Sequence, residues 1–123
     1  IGRFLESPAF RPDATYRVLG YSDGRMSMYR IIQEGARLDS EFFPESQARR
    51  SWSDLAEYEQ LLRDRHVDFV VAWRSYDTRW HTNEHSLLRS MSATDSCGGR
   101  TLRTSVVFTD PAYEVFGITP CTG

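Results

Sequence analysis

The stretch SWSDLAEYEQLLRDRHVDFVVAW, residues 51–73, constrains this chain more than any other. Leu55, Tyr58, Leu61 and Leu62 recur at three- and four-residue spacing and predict an amphipathic helix over 51–66. Ser51 or Ser53 offers the N-cap, and Arg63 and Arg65 oppose the dipole at the far end. The run that follows at once, VDFVVAW (67–73), contains five consecutive apolar residues and so reads as a strand buried on both faces. A strand of that kind needs packing partners above and below the sheet.

The flanking segments supply them. Ile1, Phe4 and Leu5 share one helical face before SPAFRPDA breaks it. TYRVLGY (15–21) alternates and is rich in β formers, SDG turns the chain, and RMSMYRIIQEG (25–35) carries Met28, Ile31 and Ile32 at helical spacing, with Gly35 as C-cap. Residues 36–50 hold no sustained period and read as an ordered loop around Pro44. TNEHSLLRSMSA (82–93) predicts a further helix with Leu87, Leu88 and Met91 inward. LRTSVVFTD and YEVFGI flank the turn signature DPAY and predict a closing hairpin. The order β-α-loop-α-β-α-β-β points to an α/β domain, a small mixed sheet flanked by helices in two or three layers, occupying residues 1–123 as one unit.

Composition narrows function more than it names one. The net charge of -2 lacks the basic face a nucleic-acid partner demands. All 15 basic residues are arginine, as GC-rich bacterial coding favours. The longest apolar run falls far short of the roughly 20 residues needed to cross a bilayer. Cys97 and Cys121 both lie beside turn formers and outside the apolar strands. They are expected to form a disulfide, which implies an oxidising compartment; the alternative is two free thiols in a cytosolic protein.

HTNEH (81–85) spells the H-x-x-E-H pattern of inverted zinc proteases. On a helix, His81 and His85 would share one face, with Glu84 as general base. Thr82 or Asn83 is the natural N-cap, however, which leaves His81 outside the helix, and a third protein ligand is wanting. The reading adopted is a helix start with no metal and no cofactor, Glu84 favouring the positive helix end. Asn83, Glu84 and His85 could instead line a cleft beyond the FVVAW strand, where ligands of open sheets gather. Arg49 and Arg50 beside Trp52 and Phe43 suit an anionic or sugar ligand, or else anchor a loop with the arginines paired to Glu41, Glu45 or Asp54. Trp73 reads as core; Tyr76 and Trp80 fall in a loop, where aromatic rings serve as contact surface. Glu57 and Glu59 read as a solvated helix face. No G-x-S-x-G, G-x-G-x-x-G or P-loop frames a reaction, and no catalytic residue is assigned.

YRVLG, SMYRIIQEGARLDSEFFPESQARRSW, EYEQLLRDRHVDFVVAW, TNEHSLL and VVFTDPAYEVFGI together resemble the extracytoplasmic tail of bacterial polytopic membrane proteins of the GT-C glycosyltransferase type. In that family a helix leads into a strand of the LLRDRHVDFVV kind, and a hairpin like FTDPAYEVFGI ends the tail. The resemblance implies a membrane part upstream, of which this chain is a fragment, and a place on the extracytoplasmic face of the bacterial cell membrane. It also implies that catalysis lies in loops outside this chain. The partners it suggests are an envelope saccharide or lipid-linked sugar, touched through Arg49, Arg50, Trp52, Tyr76, Trp80, Asn83, Glu84 and His85. A small zinc hydrolase using His81, Glu84 and His85, and a free-standing secreted binding module, are the competing readings.

Overall fold

The computed structural model describes residues 2–19, 30–38, 52–80, 82–93, 97 and 101–121. A short helix α1 (Gly2–Leu5) precedes β1 (Thr15–Leu19), a helical turn at 30–33 and β2 (Arg37–Leu38). Then come α2 (Leu55–Asp64), β3 (Phe69–Trp73), α3 (Tyr76–Trp80), α4 (Glu84–Ser92), β4 (Leu102–Thr109) and β5 (Tyr113–Pro120). The strands form one sheet in the order β2-β1-β3-β5-β4. β1 is parallel to both β2 and β3, whereas β5 runs antiparallel to β3 and β4. The α/β class, the mixed sheet and the terminal hairpin follow the sequence reading.

The two-sided burial of FVVAW is realised, and it organises the layers. Ile31 and Phe4 pack with Tyr16, Val18, Val71 and Val115 on one face of the sheet. Tyr58, Leu62, Leu88 and Met91 pack with Leu19, Val70, Ala72 and Phe116 on the other. Helical segments therefore cover opposite faces on the two sides of β1. All five β1 residues are buried as a result. Among the described residues no helix is long and apolar enough to cross a membrane.

Several local expectations need correction. The strand read as 15–21 is observed over Thr15–Leu19, and residues 20–29, including Met28, lie outside the described part. Ile32 is 43% exposed rather than inward. Gly35 does end its helical turn at φ 95, where a side chain would be strained, with its N–H donating to Ile32. Residues 37–38, read as loop, form the edge strand β2. Asp54 caps α2, its carboxylate accepting from the Ala56 N–H at 3.0 Å, in place of Ser51 or Ser53. The chain leaves α2 through His66 at φ 54, and the Val67 N–H donates back to Leu62. That left-handed turn lets a strand start five residues after the helix end.

Tyr16 joins the layers beneath β1. It is fully buried, its ring stacks on Phe10 and Phe69, and its hydroxyl accepts from the Arg11 N–H at 2.9 Å. Burial pushes its phenol up to about 12, with Arg11 pulling the other way. The folded state thus favours the neutral phenol, and this stability is whole below pH 10 and lost as pH climbs through 12. Alkaline unfolding is expected to remove about 2 kcal/mol across that window. Tyr16→Phe should flatten the decline in denaturant titrations; an equally steep decline in the variant would assign it elsewhere.

Candidate functional site

The residues singled out in TNEH come together with partners that the sequence did not advertise. Glu84 opens α4 and is 1% exposed. Its Oε2 accepts from Arg17 Nε at 2.6 Å and from the Tyr58 hydroxyl at 2.7 Å, and its Oε1 accepts from Arg17 Nη2 at 3.0 Å. Arg17 rises from the middle of β1 on the face covered by α2 and α4, and it too is buried, at 2%. A guanidinium and a carboxylate out of water stay charged only when paired in this fork geometry.

A second pair lies one residue on. His85 Nε2 sits 2.8 Å from Glu114 Oε1, both side chains being buried. Arg89 Nε and Arg74 Nη1 approach the same oxygen at 3.5 and 3.7 Å from more open positions. Glu114, in β5, lies opposite Ala72, so the His85–Glu114 pair sits near the carboxyl end of β3. The polar groups of both pairs bond to one another.

Asn83 is the helix-capping position but makes no side-chain cap. Its amide instead pairs with the backbone of Trp52, accepting from the N–H at 2.7 Å and donating to the carbonyl at 2.6 Å. The start of α4 is capped from outside by Asp77 of α3, whose carboxylate accepts from the His85 and Ser86 N–H groups at 2.9 and 2.8 Å. Residues 76–80, read as loop, are helical, which is what carries Asp77 to that position.

Among the described residues, two of the rings expected to form a contact surface are buried. Trp52 is 6% exposed and tilts onto Tyr58, and Tyr76 is 2% exposed within the core under α2 and α4. Both rings are spent on packing, so neither offers a face to a ligand. Trp80 closes α3, with its side chain outside the described part; Arg49, Arg50, His81, Phe43 and Pro44 lie outside it altogether. Trp73, half-buried, stacks on Tyr113 at 5.0 Å. Burial raises the Tyr113 phenol as well.

Sequence reasoning missed Arg17, Glu114 and Glu59. Glu59 is 5% exposed, not solvated, and its Oε2 accepts from the Thr101 N–H and hydroxyl and from the Leu102 N–H at 2.9 to 3.0 Å. It fastens α2 to the start of β4. The signal was present: Glu59 stands four residues after Leu55 and three before Leu62, on the buried stripe. Cys97 and Cys121 are bonded, with Cα atoms 6.1 Å apart.

No family model matches the chain, and neither a curated protein nor a solved structure matches it.

Proposed function

We propose that this domain is a non-catalytic, extracytoplasmic part of a cell-envelope membrane protein of the GT-C glycosyltransferase type, serving as a scaffold or a weak glycan-contact surface. The observation that carries the non-catalytic half is the closure of the Arg17–Glu84–Tyr58 cluster. Glu84 was the best candidate for a general base, yet both its oxygens accept hydrogen bonds under two helices. Using it for chemistry would mean breaking a buried forked ion pair. His85, the other half of the H-x-x-E-H pattern, faces Glu114. The Cys97–Cys121 bond supports an oxidising compartment and hence the extracytoplasmic side. The membrane attachment and the transferase kinship rest on the sequence resemblance.

The isolated domain is expected to carry no stoichiometric zinc and to turn over neither glycosidic nor peptide substrates. It should bind envelope oligosaccharides no more tightly than high micromolar to millimolar, about -4 to -6 kcal/mol. Elemental analysis, hydrolase and transferase assays, and titration of labelled protein check these together. Turnover abolished by Glu84→Gln would overturn the reading, as would about one zinc per chain lost in His85→Ala.

A further inference from the structure

One cross-strand row on the sheet face away from α2 and α4 runs through a glycine. Tyr16, Phe69, Gly117 and Ser105 lie side by side in register on β1, β3, β5 and β4. Tyr16 stacks on one side of the Phe69 ring, at 5.1 Å between centroids and 16° between planes. The other side looks toward Gly117 and Val107. A Cβ built there would lie 3.7 Å from Phe69 Cε1, 3.8 Å from Ser105 Oγ and 3.0 Å from Val107 Cγ1. Val107 thus already closes over the glycine, and the surface here is made by an aromatic ring, a hydroxyl and the methyl of a half-exposed valine.

That surface lines a cleft of about 300 Å³ whose outer rim carries Arg11, Asp13 and Asp68. Arg11 and Asp13 are largely solvent-exposed and only loosely paired, at 3.9 Å. Asp68 spends Oδ2 on the Thr15 N–H at 2.8 Å. α1 and Phe10 cover the neighbouring part of this face, where Phe4 packs against Phe108 and Phe10. The Phe69 end is left half-buried.

The geometry points to a neutral pyranose ring as the ligand of this cleft, its C–H face laid against Phe69 and Val107 and its hydroxyls reaching Ser105, Asp13 and Arg11. An aromatic face beside mixed donors and acceptors is what a sugar ring requires, and the volume suits one or two rings. Two carboxylates against one guanidinium at the rim disfavour phosphate and anionic sugars. The inference rests on the glycan-contact reading above, and it moves that contact from the Trp52–Tyr76 region to the opposite end of the domain.

Methyl pyranosides titrated into ¹⁵N-labelled domain, up to about 20 mM for a millimolar dissociation constant, test it. The expected perturbations centre on the amides of Phe69, Ser105, Gly117 and Thr119. Gly117→Val puts a β-favouring side chain into the cleft wall and requires Val107, at 37% exposure, to turn outward. That variant should weaken binding about tenfold or more while keeping its amide spectrum dispersed. Ser105→Ala and Asp13→Asn, both at exposed positions, provide changes that leave the core untouched, and each should weaken binding severalfold. Perturbations confined to another face, or undiminished binding in all three variants, would overturn the cleft and leave a glycan contact elsewhere standing. Silence toward methyl pyranosides, with envelope oligosaccharides bound, would overturn the cleft alone; silence toward both would remove the glycan-contact reading with it.

Discussion

Glu84→Leu is expected to cost the domain about 3 to 5 kcal/mol, the largest effect of any single substitution at the described polar residues. The carboxylate itself is not the source of that loss. Removing it takes the forked counter-charge from the Arg17 guanidinium, which is 2% exposed under α2 and α4, and takes from the Tyr58 hydroxyl the acceptor it now uses. A typical domain has only about 5 to 15 kcal/mol in total, so the variant should approach unfolding at room temperature. Arg17→Met should do comparable damage by leaving the buried Glu84 carboxylate with the Tyr58 hydroxyl but without its cation. The double variant, Arg17→Met with Glu84→Leu, replaces the pair by apolar groups and is expected to be more stable than either single one. Urea titration of the four proteins gives the coupling directly; Glu84→Gln, which keeps shape and hydrogen bonding, remains measurable if Leu prevents folding. Additive losses would show that the pair is not coupled and that the closed cluster is not what holds α4 to β1.

That pair also marks where the sequence ceased to be legible. The strand FVVAW, the stripe on α2 and the DPAY hairpin depend on local period and turn chemistry, and each was readable from its own residues. The buried state of Arg17 depends on β1 lying between β2 and β3, a fact of strand order that TYRVL does not contain. Read alone, the segment alternates, and an arginine in it reads as outward. The cap of α4 failed for a related reason. Asn83 had the right chemistry and position, but Trp52, 31 residues away in sequence, claimed its amide, and Asp77 supplied the cap across a helix–helix contact. Glu59 differs, because its place on the Leu55–Leu62 stripe was visible and only the habit of assigning acids to solvent hid it. The aromatic residues follow the same division. Ring-rich loops suggest contact surface by composition, whereas Trp52 and Tyr76 were drawn inward by packing against Tyr58 and the core of α4.

Reduction of Cys97–Cys121 is expected to remove roughly 3 kcal/mol, since the bridge closes a loop of 24 residues' separation in the unfolded chain. For a domain of this size that corresponds to a fall in Tm of roughly 10 °C. The folded state already holds the two ends together without the bond. The Cys121 N–H donates to the Thr101 carbonyl at 2.9 Å, Leu102 lies opposite Pro120, and Glu59 fastens residues 101 and 102 to α2. Native packing should therefore survive in the Cys97→Ala, Cys121→Ala double variant, and the loss should fall on the unfolded side of the equilibrium. Two measurements separate that account from simple damage to the hairpin. Released from its cross-link, the unfolded chain expands and exposes more surface, so the urea m-value should rise as the midpoint falls. Amides of β4 and β5 should keep their native chemical shifts. A lower midpoint with an unchanged m-value and shifted hairpin amides would place the effect in the native state. Thiol titration of protein purified without reductant should find no reactive cysteine; two would mean that the bond is absent and would withdraw the support it lends to an extracytoplasmic location.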